Sequence, residues 1–205
     1  MCYAFTQKVE AATLMREILS GDRKVVNRID DKNQKKEKVS PTNFILTVQK
    51  QQEKYLIDST YWGIKFSDKS PLIANTRVET IKEKLYWRGL FDKSRYLISM
   101  TGFYEWKKEG NKKVRYKIFL PQEDLFFAAA LETIDKDKKE SVSIITTTPN
   151  KFMKSIHNRI PVLLRMQEGI DYLTDSIEIN LKRCKPLEDD IKMEMIPDDK
   201  RIKDI

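Results

Sequence analysis

Hydrophobic and polar residues follow two different periods along this chain. Between Thr6 and Ser20, Ala11, Leu14, Met15 and Ile18 fall at i, i+3, i+4 and i+7. That spacing puts them on one face of a helix, and Gly21 supplies a stop. The segment "RKVVNRIDDKNQKKEKVSP" is polar and charged, and reads as a long loop ending near Pro41. Short apolar runs follow at "FILTVQ", "KYLIDS" and after Trp62, each with the length of a strand. "VETIKEKLYW" returns to helical spacing, with Ile81 and Leu85 four apart. "RYLISM", "VRYKIFL", "LFFAAALE" and "SVSIITTT" then read as strands. In "VRYKIFL", Val114, Tyr116, Ile118 and Leu120 alternate with other residues, the period of a half-buried strand. Thr148 and Pro149 fit the N-cap and first position of a helix. "EGIDYLT" reads as a short helix and "IKMEMI" as a last strand.

Many short strands with a few helices predict an α+β fold, with mixed and antiparallel sheets, partly barrel-like. The length of 205 residues fits one domain and is enough to bury a sizeable core. At 40% hydrophobic and 34% charged the chain has a globular composition. It has no run of 18 apolar residues and no apolar segment after a basic start, so neither a membrane helix nor a signal peptide is expected. Six glycines are too scattered to form a phosphate loop.

Charge changes the picture more. A formal net charge of +8 suits a polyanionic partner, nucleic acid first, or plain solubility. The two cysteines, Cys2 and Cys184, make no disulfide framework, and with a single histidine no metal site is expected. A reducing cytoplasm is the expected compartment.

Four places set polar chemistry against the hydrophobic pattern. Cys2 follows the initiator methionine. "ANTRVET" places Asn75, Arg77 and Glu79 on alternate residues, which in an extended chain point to one face. "GFYEWK" sets Glu105 among large aromatic side chains. "IHNRIPVLL" puts His157 two residues from Arg159, just ahead of a buried-looking strand. Each also admits a structural reading: a frayed end, a solvated strand edge, an outward glutamate, a satisfied histidine.

In this order the four resemble the SRAP family, the SOS-response-associated peptidase-like proteins that shield abasic sites in single-stranded DNA. The carriers are Cys2, Trp62-Gly63, "NTRVET" (75–80), "GFYEW" (102–106) and "HNRIP" (157–161), with "SIITTTPN" ahead of the histidine. The resemblance spans roughly residues 1 to 175; Cys184 and the tail "PDDKRIKDI" carry no readable role. It implies that Cys2, once Met1 is removed, forms a thiazolidine with the abasic aldehyde. Asn75, Glu105 and His157 would be the other catalytic residues. Arg77, Arg159, Pro41 and Thr148 would contact DNA, and Glu79 would orient the arginines. No cofactor or metal is implied. The implied protein is a monomer, cytoplasmic and nucleoid-associated when bound to DNA.

Some positions depart from the family pattern. Tyr3 and Ala4 stand where Gly-Arg is usual, the segment "IKFSDKSP" holds only Phe66 as an aromatic, and Ser99 replaces a proline. An altered DNA-contacting rim follows. Two other functions fit the same residues: a peptidase that uses Cys2 as an N-terminal nucleophile, acting on its own leader, and a non-covalent single-strand-binding module.

Overall fold

The structure, a computed structural model, describes residues 3–7, 11–20, 23–29 and 38–198. Strand β1 (Phe5–Thr6) and helix α1 (Ala11–Ser20) come first. Thr6 therefore belongs to a strand rather than to the expected helix. Sheet pairing to a distant partner overrides the local helical pattern there. The charged loop carries a short strand at each end, β2 (Lys24–Asn27) and β3 (Lys38–Val39). Next come β4 (Phe44–Gln51) and β5 (Lys54–Trp62).

The run after Trp62 is not a strand. It holds one isolated bridge, Ile64 to Ile73, before β6 (Asn75–Arg77). The expected helix over 78–87 is two helices, α2 (Val78–Glu83) and α3 (Leu85–Lys93). They break at Lys84, whose φ of −108° and ψ of 118° are extended. Glu79 thus sits on a helix, and the three polar residues of "NTRVET" do not share one strand face.

Strands β7 (Arg95–Met100), β8 (Gly102–Glu109), β9 (Lys112–Phe119), β10 (Phe126–Ile134) and β11 (Glu140–Thr147) follow. Helix α4 (Lys151–Lys154) starts later than expected. Its cap is Asn150, whose side chain accepts from the Met153 amide at 3.0 Å, and not Thr148. The asparagine is buried and can reach that amide, while Thr148 is exposed. Strands β12 (Ile160–Pro161) and β13 (Leu163–Leu164), helices α5 (Met166–Thr174) and α6 (Ile177–Arg183), and β14 (Glu194–Pro197) complete the described chain.

Two sheets result, as the α+β expectation required. The smaller has the order β14-β9-β8-β1-β3. The larger runs β12-β11-β10-β7-β4-β5-β2, and a parallel β5–β11 pairing closes part of it into a ring. Strand β10 reads as a near-continuous apolar run because both of its faces are buried. Phe127, Ala129 and Leu131 face a core shared with Met15, Leu19, Ile81, Phe91 and Tyr172 of the helices. Phe126, Ala128 and Ala130 face a second core shared with Trp62, Ile98 and Ile144. Phe5, Val39, Phe103 and Ile118 of the smaller sheet join that second core. Among the described residues no helix is long and apolar enough to cross a membrane.

Candidate active site

Strand β1 lies in the interior of the smaller sheet, between β8 and β3. Phe5 pairs with Val39 on one side and Phe103 on the other. The Tyr104 amide donates to the Ala4 carbonyl at 2.9 Å. Gln7, 6% exposed, reaches the larger sheet. Its Nε2 donates to the Leu46 carbonyl at 3.0 Å and the Ser99 hydroxyl at 2.9 Å, while Oε1 accepts from the Leu46 amide at 2.8 Å. Ser99, a departure from the family pattern, is thus a partner of the terminal strand. Cys2 itself lies outside the described residues.

Glu105 lies on β8, the strand that neighbours this terminal segment, and only 2% of it is exposed. Opposite it on β9 is Tyr116. A carboxyl group buried this deeply is costly unless it is paired or hydrogen-bonded.

A hub at Trp62 joins the two sheets here. Its ring lies 5.0 Å from that of Phe5, centroid to centroid. Its indole Nε1 donates to the Ala74 carbonyl at 2.9 Å, fixing the residue before Asn75. Gly63 follows in the left-handed region at φ 122°, where a Cβ would come within 2.8 Å of Leu72 Cδ1. That close approach explains the glycine of the Trp-Gly pair. Pro41 occupies a turn tied to the same hub: the Thr42 amide donates to the Trp62 carbonyl and the Trp62 amide to the Asn43 carbonyl, at 2.8 and 2.9 Å.

Strand β11 assembles the remaining residues. Asn75 is half-buried and pairs with Ile144, while the exposed Arg77 pairs with Thr146. On the other edge of β11, Ile160 pairs with Thr147. That places the His157–Arg159 loop beside "NTRVET". Thr148 is exposed just past the end of β11.

Arg159 ties these segments together. Its Nη1 and Nη2 donate to the two carboxylate oxygens of Glu79, both at 2.8 Å, and Nη2 also donates to the Thr146 carbonyl at 2.6 Å. This bidentate hydrogen bond holds the Glu79 carboxyl below its usual range, with the charges of Arg159 and Arg77 adding to it. Arg159 is 8% exposed, whereas Arg77 is exposed. The Arg159 amide donates to His157 Nδ1 at 3.0 Å.

No group of three histidine, cysteine, aspartate or glutamate side chains among the described residues could hold a metal ion. Gln7 and Thr146 hold the candidate site's segments together by hydrogen bonds and are not among the residues singled out from the sequence; Trp62 is. Trp62 had a signal in its motif; a buried glutamine has none before the fold is known.

A profile of the SOS response associated peptidase (SRAP) family matches residues 1–204. The chain belongs to the SRAP family. Among SRAP relatives, abasic site processing protein YedK of Escherichia coli is 29% identical over 159 residues, 72% of this chain and 71% of that one. Abasic site processing protein YoaM of Bacillus subtilis is 33% identical over 145 residues, 66% of this chain and 64% of that one. The matches thus span about two thirds of these relatives. A crystal structure of a Bacteroides thetaiotaomicron protein has the same fold, with a TM-score of 0.76 at 23% identity, covering 96% of this chain and 91% of that one.

Proposed function

We propose that this SRAP protein captures abasic sites in single-stranded DNA by a covalent link through Cys2. The observation that carries the reading is the buried Glu105 carboxylate on the strand adjoining the fixed terminal segment. The names of the relatives, abasic site processing proteins, support abasic sites as the substrate.

Removal of Met1 gives Cys2 a free α-amine beside its thiol. An abasic deoxyribose opens to an aldehyde at C1′. The amine adds to that carbon and water leaves, giving an imine. The thiol then adds to the imine carbon, its proton passes to nitrogen, and a thiazolidine closes. One water is lost overall and nothing is oxidised. Closure is intramolecular and benefits from a high effective concentration. It also consumes the imine, which would otherwise promote strand cleavage by β-elimination.

An α-amine titrates near ~8, so a useful fraction of it is nucleophilic at working pH, and a thiol near ~8.5 needs only modest activation. Glu105 moves protons as the carbinolamine forms and dehydrates. His157 donates to the sugar oxygen as the ring opens. Asn75 holds the amine or sugar by hydrogen bonding, and Arg77 offers its exposed guanidinium to a flanking phosphate. Pro41 and Thr148 form the rim.

The test is an abasic oligonucleotide mixed with protein whose intact mass shows Met1 removed, resolved on a denaturing gel. A heat-stable shifted band is expected. Unshifted DNA with fully processed protein would refute the reading.

A further inference from the structure

We infer that Glu79 is a positioning residue for His157: it holds Arg159, whose backbone amide fixes the tautomer of the imidazole. The inference rests on the reading of the site given above. Arg159 is clamped at its far end by Glu79 on α2 and by the Thr146 carbonyl on β11. Its backbone enters β12 one residue later, where Ile160 pairs with Thr147. The backbone of Arg159 therefore has little freedom. Its N–H, in the peptide that joins it to Asn158, points at His157 Nδ1, 3.0 Å away.

A nitrogen that accepts a hydrogen bond carries no proton, so neutral His157 holds its proton on Nε2. The same Nδ1 lies 3.3 Å from the Arg159 carbonyl oxygen. When the ring is charged, Nδ1–H has that oxygen as its acceptor. One backbone residue thus serves Nδ1 in both charge states, and Nε2 remains a donor in both. His157 is built to donate a hydrogen bond through Nε2, rather than to accept one there. That suits a hydrogen bond to the sugar oxygen as it leaves C1′ and does not suit abstraction of a proton from the thiol.

Glu79 sets this geometry through its charge and reach. Gln at 79 would offer Arg159 one acceptor in place of two and leave a nearly buried guanidinium without its counter-charge. The loop would then lose the anchor that aims its amide.

His157 is the only histidine in the chain, so ring-nitrogen NMR of histidine-labelled protein reports it alone. In wild type the Nε2–H tautomer is expected, with Glu79→Gln showing averaging between tautomers. The same variant should cross-link an abasic oligonucleotide about 10- to 100-fold more slowly, the scale of a small misplacement of a reacting group, and its pH–rate profile should change shape. An Nδ1–H tautomer in wild type would overturn the inference, as would a Glu79→Gln protein with the wild-type tautomer and rate. If Glu79→Gln does not fold by circular dichroism, Glu79→Asp, which keeps the charge and shortens the reach, takes its place with the same two outcomes. Failure of wild type to cross-link at all would instead refute the covalent reading and leave the tautomer measurement standing by itself.

Discussion

The indole of Trp62 donates to the carbonyl of Ala74 at 2.9 Å, and this bond connects the terminal strand to Asn75. Phe5 packs on the same indole, so one side chain relates the segment after Cys2 to the first residue of "NTRVET". Trp62→Phe keeps an aromatic body and removes the donor. It should destabilise the protein by about 0.5–1.5 kcal/mol, the net worth of one hydrogen bond, because the Ala74 carbonyl keeps a second donor in the Ile144 amide. Denaturant unfolding measures this, and cross-linking should slow in the same variant.

Substitutions at the chemical groups separate their roles. Cys2→Ala should abolish the heat-stable DNA complex, since neither ring closure nor imine capture remains. Glu105→Gln should keep DNA affinity and slow the cross-link by about 10²- to 10⁴-fold, the usual contribution of a positioned acid or base. Timed denaturing gels, with fluorescence anisotropy for affinity, distinguish the two effects. A Cys2→Ala protein that still shifts the DNA after heating would contradict the thiazolidine.

The two arginines should respond differently to salt. Arg77 is exposed, whereas Arg159 is engaged with Glu79 and Thr146. Arg77→Ala should reduce the slope of log affinity against log salt by about 0.7, one phosphate contact on a single strand. Arg159→Lys should leave that slope unchanged. Anisotropy titrations over a range of salt concentrations read both.

Cys184 is a built-in control for thiol chemistry. It is 3% exposed in the helix-side core, and burial pushes its thiol up to about 12. The native protein should therefore not be alkylated at Cys184 at pH 8, because the thiolate is the reactive form. Label should appear there after denaturation. Peptide mapping after iodoacetamide treatment decides the point.

Stability should depend on pH through Glu132. Burial, and then the charge of Glu140, raise its carboxyl to about 7. The folded state then holds this proton more tightly than the unfolded chain. Stability falls as pH rises through the interval between the ordinary glutamate value and about 7. Glu132→Gln should stabilise the protein by about 1–2 kcal/mol at pH 8, after allowance for solvent screening, and bring no gain at pH 4. Chemical denaturation at the two pH values gives the comparison.

The candidate chemical residues stand out in the sequence more than the scaffold around them does. Cys2, Asn75, Glu105 and His157 stand out because they are polar residues in apolar or motif-bearing surroundings. Alternation made strands such as β9 visible, and apolar runs did the same for β10. Strand β1 was hidden because two residues carry no period, and its pairing comes from Phe103 and Val39, far away in sequence. The break at Lys84 escaped notice because the apolar spacing continues across it. Thr148 and Asn150 are both good capping residues, and only burial chooses between them. The pairing of Arg159 with Glu79 was not legible, because nothing in the spacing of two residues 80 positions apart brings them together.

The hydrogen bond from Thr6 to the Gly102 carbonyl spans 96 positions in the chain. During synthesis the first strand therefore waits for its neighbour until the hairpin around Glu105 has left the ribosome. At roughly 5–20 residues per second that leaves a period on the order of 5–20 s in which the start of the chain has no sheet to enter. An aminopeptidase that must reach Met1 has this interval in which to work. Under the proposed mechanism, removal of Met1 and folding of the pocket would be ordered in time by topology.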